Sequence, residues 1–269
     1  MFYLKVGFLF FIINHIYKLR YIIFFMFVLV EFNNNYKEIL KELKKLNFIP
    51  IVLFNLNLNN KINYNENLNK INEIIKKNKI KYKGIILNID KNDNKLIGII
   101  NNLKLKFDLV IGLGGLNKIN RFFLENTNID FLLDPQNSKF KNKIDFIHHF
   151  NSGLNQVLFN FAKNKNISFI FSLNEFNKKY PNNYLISKEI GRINQNIKLC
   201  EKFKITFYLN YIIKNKFEIK NINQLNSIIS LFNTSTKQKK ENIYVLENKI
   251  QINTNKNTLK YINEFIKFK

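Results

Sequence analysis

Short runs of apolar, often β-branched residues alternate along this chain with longer stretches in which apolar residues recur every three or four positions. The first pattern predicts strands and the second amphipathic helices. Met26-Phe-Val-Leu-Val-Glu-Phe32 reads as the first strand. A helix over 37–46 follows, with Ile39, Leu40, Leu43 and Leu46 on one side. Next come a strand over 49–54, with Pro50 near its start, and a helix over 67–77 through Leu68, Ile71, Ile74 and Ile75. Further strands are predicted over 84–89, 108–113, 129–133, 167–173 and 205–212. Further helices are predicted over 95–103, 119–125, 184–203 and 221–232. Seven strands in alternation with helices imply parallel strands covered by helices. A doubly wound open sheet and a closed barrel both fit this order. The count of seven, the length and the lack of a dinucleotide signature favour an α/β fold of the TIM-like (β/α) barrel type, about seven parallel strands with outer helices.

The middle of the chain departs from this rhythm. In Lys143-Ile-Asp-Phe-Ile-His-His-Phe-Asn-Ser-Gly-Leu-Asn-Gln-Val-Leu158 the residue choice becomes specific, and two of the chain's three histidines are here. Asn151 or Ser152 is expected to cap a helix, since either side chain can accept from a free backbone N–H of the first turn. Leu154, Val157, Leu158, Phe161 and Ala162 then form one apolar stripe. A helix start needs one cap, so the density of polar residues before the stripe asks for a further explanation.

The two ends read differently. Residues 1–25 are rich in Phe and Ile, yet Lys5, Asn14, His15, Lys18 and Arg20 interrupt them. A spanning helix needs about 20 mainly apolar residues, and no small-residue cleavage site follows. They are read as an N-terminal extension or a misassigned start, with Met26 as the natural first residue. Residues 26–233 form the barrel domain. Residues 234–240 read as a polar linker, and 241–269 as a C-terminal tail, strand-like and then helical.

Composition narrows the class of partner. The chain has 269 residues, enough for a substantial core, and 46% of them are hydrophobic. Its 43 Lys and Arg against 19 Asp and Glu leave a formal charge of +24. Only Arg20, Arg121 and Arg192 are arginines, as expected where A- and T-rich codons dominate. That bias exchanges Arg for Lys without removing acids, so the deficit of acids still favours a polyanionic partner. The single cysteine, Cys200, excludes an intrachain disulfide framework and suits a reducing, cytoplasmic setting.

Catalytic chemistry finds little support. A hydrolytic metal site needs several His and carboxylate ligands at strand ends, and adjacent histidines on a strand point to opposite faces. Gly112-Leu-Gly-Gly-Leu-Asn117 has Asn117 where a dinucleotide loop needs its third glycine, so it reads as a tight strand-to-helix turn. Ser152 with His148 or His149 lacks a third orienting group. Cys200 ends the stripe Ile186, Ile190, Ile193, Ile197, Cys200 and reads as a small buried hydrophobe. The opposite face of that helix carries Lys188, Arg192, Gln195, Leu199 and Lys202. An arginine in a chain that otherwise writes Lys, beside an exposed apolar Leu199, is read as an RNA or subunit contact, because guanidinium binds phosphate bidentately. Lys139, Lys141 and Lys143, leading to His148, form a second phosphate-facing patch, and Asn151, Asn155 and Gln156 of the same block join the candidate contacts. The rival reading is a degenerate barrel phosphoesterase acting on a small phosphorylated substrate, with Asp90, Asp134 and His148 lining a pocket at the strand ends. A basic, membrane-associated structural protein is a third.

Two blocks carry a family resemblance. Asp145-Phe-Ile-His-His-Phe-Asn-Ser-Gly-Leu-Asn-Gln-Val-Leu158 and Gly191-Arg-Ile-Asn-Gln-Asn-Ile-Lys-Leu-Cys-Glu-Lys-Phe203 resemble ribonuclease P protein component 3 of archaea, related to the thirty-kilodalton subunit of the eukaryotic enzyme. Gly114-Gly115, Asn120-Arg121, Ile129-Asp130 and Asp134-Pro135 are weaker echoes. The resemblance runs over roughly 26–232 and implies a barrel-like fold. It also implies a subunit of the endonuclease that removes the 5′ leader from precursor tRNA. In that family the RNA subunit performs the cleavage with Mg²⁺, and the protein itself holds no cofactor. The implied partners are ribonuclease P RNA, protein component 2, other ribonuclease P proteins and, for the complex, precursor tRNA, with no membrane.

Overall fold

In the computed structural model, the structure describes residues 26–58, 64–137, 145, 150–177, 183–232 and 234–267. Seven parallel strands form one sheet in chain order: β1 Met26–Glu31, β2 Phe48–Asn57, β3 Lys83–Asn88, β4 Leu109–Leu113, β5 Phe131–Leu133, β6 Ser168–Ser172 and β7 Phe207–Asn210. Each strand pairs with the next in parallel, as crossover helices require. Those helices are α1 Tyr36–Lys45, α2 Tyr64–Asn78, α3 Lys95–Lys106, α4 Asn117–Asn126, α5 Gln156–Asn164 and α6 Asn183–Phe203, followed by α7 Ile222–Ser230 and α8 Thr236–Lys267. All seven strands fall where the apolar runs predict them.

Strand alternation separates two cores. Met26, Val28 and Val30 of β1 face outward with Val52, Phe54, Ile85, Val110 and Phe169, and meet the apolar faces of the covering helices. Phe27 and Leu29 face inward with Ile51, Leu53, Ile86, Leu109, Ile111, Phe131, Ile170 and Tyr208. The sheet curls until its edges touch. Past β7, Ile213 bridges Val30 in parallel, its N–H donating to Leu29 O and its O accepting from Glu31 N, both at 2.9 Å.

Away from that bridge the seam between β7 and β1 is covered by α8. The later part of the tail is helical as expected, but the polar linker and strand-like start are not seen: residues 236–267 are one helix. Its buried stripe is Asn242, Val245, Leu246, Lys249, Ile250 and Asn253, spaced three and four apart. Val245, Leu246 and Ile250 complete the inner core. The Asn242 carboxamide accepts from Leu209 N at 2.6 Å and donates to Leu209 O at 3.4 Å, standing in for a neighbouring strand. Lys249 donates to Asn166 O and Asn253 to Asp108 O at 2.8 Å, both carbonyls just before strand starts, so the helix ends its docked stretch beneath the barrel. No helix among the described residues is long and apolar enough to cross a membrane.

Candidate functional site

The two sequence blocks meet in space. Arg192, on α6, donates to Asp145 Oδ1 from Nε at 3.1 Å and from a terminal nitrogen at 2.8 Å. The same oxygen accepts from Asn151 N at 2.9 Å, and Lys188 Nζ lies 3.3 Å from Oδ2. Burial acts to raise the Asp145 pKa, but Arg192, the Asn151 N–H and Lys188 together hold it below the ordinary carboxylate value. Five residues on, Phe150 packs against Gly191 so closely that a Cβ there would sit 2.5 Å from its ring edge. Asn196 donates to Ser152 O at 3.2 Å.

The weaker echoes belong to the same assembly. Asn120, fully buried on α4, accepts from Gly115 N and donates to Pro135 O and Gly153 O, each at 2.9 Å. Gly114 admits Asn120 and the Pro135 backbone where a Cβ would come within 2.8 Å of both. Gly153 has φ +79°, the left-handed conformation that lets the chain turn inward. The polar residues before α5 therefore lock a long crossover onto α4 and α6.

What this scaffold presents outward is an open groove of about 800 Å³. One wall is the start of α4, with Asn117, Lys118 and Arg121; the other is α6, with Gln195, Lys198 and Leu199. Residues 150–155 and the first turn of α5 form the floor. Among the described residues three basic side chains and no acid line it, although Arg121 is also paired with Glu125 at 2.6 Å. Asn155 caps α5 by accepting from Leu158 N at 3.0 Å, and the next two residues, Gln156 and Val157, line the groove; the first N–H groups of a helix have no intrahelical partner. A helix start carries partial positive charge. Phe150 and Val157, 37% and 58% exposed, add apolar surface. The arrangement offers cations, backbone donors and apolar contact to one polyanionic or protein partner.

Several expectations change on this geometry. Lys139, Lys141, Lys143 and His148 lie outside the described residues. The helix cap is Asn155, not Asn151 or Ser152: α5 begins at Gln156, so Asn151 instead accepts from Gly153 N at 3.3 Å and Ser152 is buried in the turn. That later start also rotates the stripe. Leu158, Phe159 and Ala162 are buried, whereas Val157 faces out. Arg192 is not on a solvated face; it is 3% exposed, because the crossover folds over that side of α6. Lys188 is half-buried by the same segment and lies over the Tyr184 ring at 4.5 Å. Asn155, Gln156, Gln195 and Leu199 do converge on the groove, with Leu199 half-buried rather than exposed. Lys202 is exposed but does not line it. Lys118 and Lys198 were missed. Lys198 was legible as the residue one turn beyond Gln195; Lys118 had only its place beside Asn120-Arg121.

Among the described residues no three His, Cys, Asp or Glu side chains gather to hold a metal. Asp134, at the end of β5, accepts from Ser172 N at 2.6 Å and Gln136 Nε2 at 3.2 Å, while Asp90 is exposed. Cys200 is fully buried, and burial pushes its thiol well above the usual range.

No family model matches the chain. Ribonuclease P protein component 3 of Methanosarcina barkeri is 27% identical over 130 residues, 48% of each chain. The chain thus spans about half the length of the curated relative it matches. Among solved structures, a chain in the cryo-EM structure of archaeal ribonuclease P with mature tRNA shares the fold at a TM-score of 0.64. It is 20% identical, with 84% of this chain and 90% of that one covered. The chain resembles ribonuclease P protein component 3. The family resemblance and the barrel expected from it both hold. A weaker match is adenine deaminase from Arthrobacter aurescens, 6% identical at a TM-score of 0.45, over 85% of this chain and 66% of that one.

Proposed function

We propose that the chain is a protein subunit of ribonuclease P, supporting the RNA that removes the 5′ leader from precursor tRNA. The observation that carries this reading is the meeting of the two component-3-like blocks: Asp145 of one grips Arg192 of the other, and together they build the floor and wall of one basic groove. Likeness in fold to a chain of archaeal ribonuclease P supports it independently.

In this role the chain breaks no bond. The RNA supplies the reacting groups and binds the Mg²⁺, protein component 2 is a neighbour, and the complex works in the cytoplasm. Lys118, Lys198 and the α5 N-terminus neutralise clustered phosphates, so that the RNA holds its active shape; such contacts position RNA without reading its sequence. The test is reconstitution of ribonuclease P RNA with the other protein subunits, with and without this chain, assayed on precursor tRNA at modest Mg²⁺. The expected result is cleavage that falls when the chain is omitted and no cleavage by the chain alone. Processing indifferent to its omission would overturn the reading, and RNA-free phosphatase activity would favour the phosphoesterase.

A further inference from the structure

Past the bridge at Ile213 the chain makes a single 3₁₀ turn, Lys216–Glu218, which holds the most exposed large apolar side chain among the described residues. Phe217 is 79% exposed. The turn beneath it is well fixed. Asn215 accepts from Phe217 N at 3.1 Å, Glu218 accepts from Lys214 N at 2.6 Å, and Lys220 Nζ donates to Phe217 O at 3.3 Å.

Lysines outnumber acids around the ring. Lys216 Nζ is 5.5 Å from the ring centroid, and Lys214 and Lys220 flank it in sequence. The turn sits against α1, close enough for Lys216 to act on the Glu42 carboxylate, and α1 presents exposed Lys41 and Lys44. Three acids temper the patch: Glu31 pairs with Lys214 Nζ at 2.9 Å, Glu218 is engaged by Lys214 N, and Glu42 pairs with Lys45 at 2.7 Å.

We propose that Phe217 is a stacking platform for an unpaired nucleotide of RNA, with Lys216 and Lys220 holding the phosphates on either side. This rests on the RNA-binding reading above but concerns a different surface from the groove. An aromatic ring held on a fixed turn loses little entropy when a base lies on it, and every base has a π-face, so recognition is sequence-tolerant. A base inside a duplex offers no free face, so the platform selects single-stranded segments. The lysines favour a polyanion over an apolar protein surface.

The test uses the full chain with a short oligouridine carrying one 2-aminopurine, and a duplex RNA of equal length for comparison. Stacking on Phe217 quenches the 2-aminopurine fluorescence on binding. Phe217→Ala is expected to abolish the quenching and weaken single-strand binding about 5- to 150-fold, with duplex binding and the melting temperature unchanged. Phe217→Tyr retains both signals, and Phe217→Leu behaves like the alanine variant. Single-strand binding that survives Phe217→Ala overturns the assignment. So does a Phe217→Leu variant as tight as wild type, which would mark an apolar contact for a protein. A wild-type chain that binds neither RNA overturns the RNA-binding reading itself. One that binds the duplex without quenching by the single strand overturns only the Phe217 platform.

Discussion

Arg192 and Asp145 are buried together, at 3% and 13% side-chain exposure, and each satisfies what the other would otherwise leave unpaired. Two charges out of water gain little net stability as a pair, but removing one strands the other. Asp145→Asn is therefore expected to cost about 3–5 kcal/mol at neutral pH, with part of the loss recovered when Arg192→Met is added. Chemical denaturation of the single and double variants measures this. The pH dependence has a definite sign. The folded carboxyl lies below its ordinary value of 3.8, so its contribution is complete above that value and is lost as pH falls through the folded pKa. Denaturation midpoints of wild type and Asp145→Asn should thus converge only in acid. A difference that stays constant into strong acid would show that the pair is not the source of the loss.

At the scale of elements, the inner core is closed by a helix rather than by an eighth strand. Leu246 is fully buried there, and Leu246→Ala is expected to cost about 2–5 kcal/mol. Asn242→Ala leaves the Leu209 N–H buried and unpaired, at about 1–3 kcal/mol. If α8 were an independent tail, thermal unfolding would show neither loss. The strands were legible because parallel strands buried on both faces must be apolar at almost every position, as in Met26–Glu31. The closing helix was not. Its run Ile243-Tyr-Val-Leu246 has the look of a strand, and Asn242, Lys249 and Asn253 hide polar groups in the buried stripe. Arg192 failed for a related reason: helical periodicity identifies the face opposite the core but cannot know that a distant crossover covers it. The groove itself was half legible, since Asn155, Gln156, Gln195 and Leu199 reach it, while the contacts through Asn120 depend on residues 15 and 33 positions away.

For the molecule as a whole, the question is whether RNA is held by the general field of a +24 chain or by a particular place on it. A diffuse field raises encounter rates at any surface, whereas counterion release counts the phosphates actually neutralised. With about 6–10 contacts, affinity for ribonuclease P RNA should fall roughly 10³–10⁵ between 50 and 200 mM salt, on the duplex DNA scale. Within that total, Lys118 and Lys198 line the groove, so replacing both by Ala should weaken binding at all sequences. It should also reduce the slope of log affinity against log salt by about 2. Lys76 and Lys77, exposed on the last turn of α2, lie outside the groove lining. Their double alanine variant removes the same charge and should leave the slope nearly unchanged. Equal slopes for the two double variants would place the binding in the field of the whole chain and take the groove out of it.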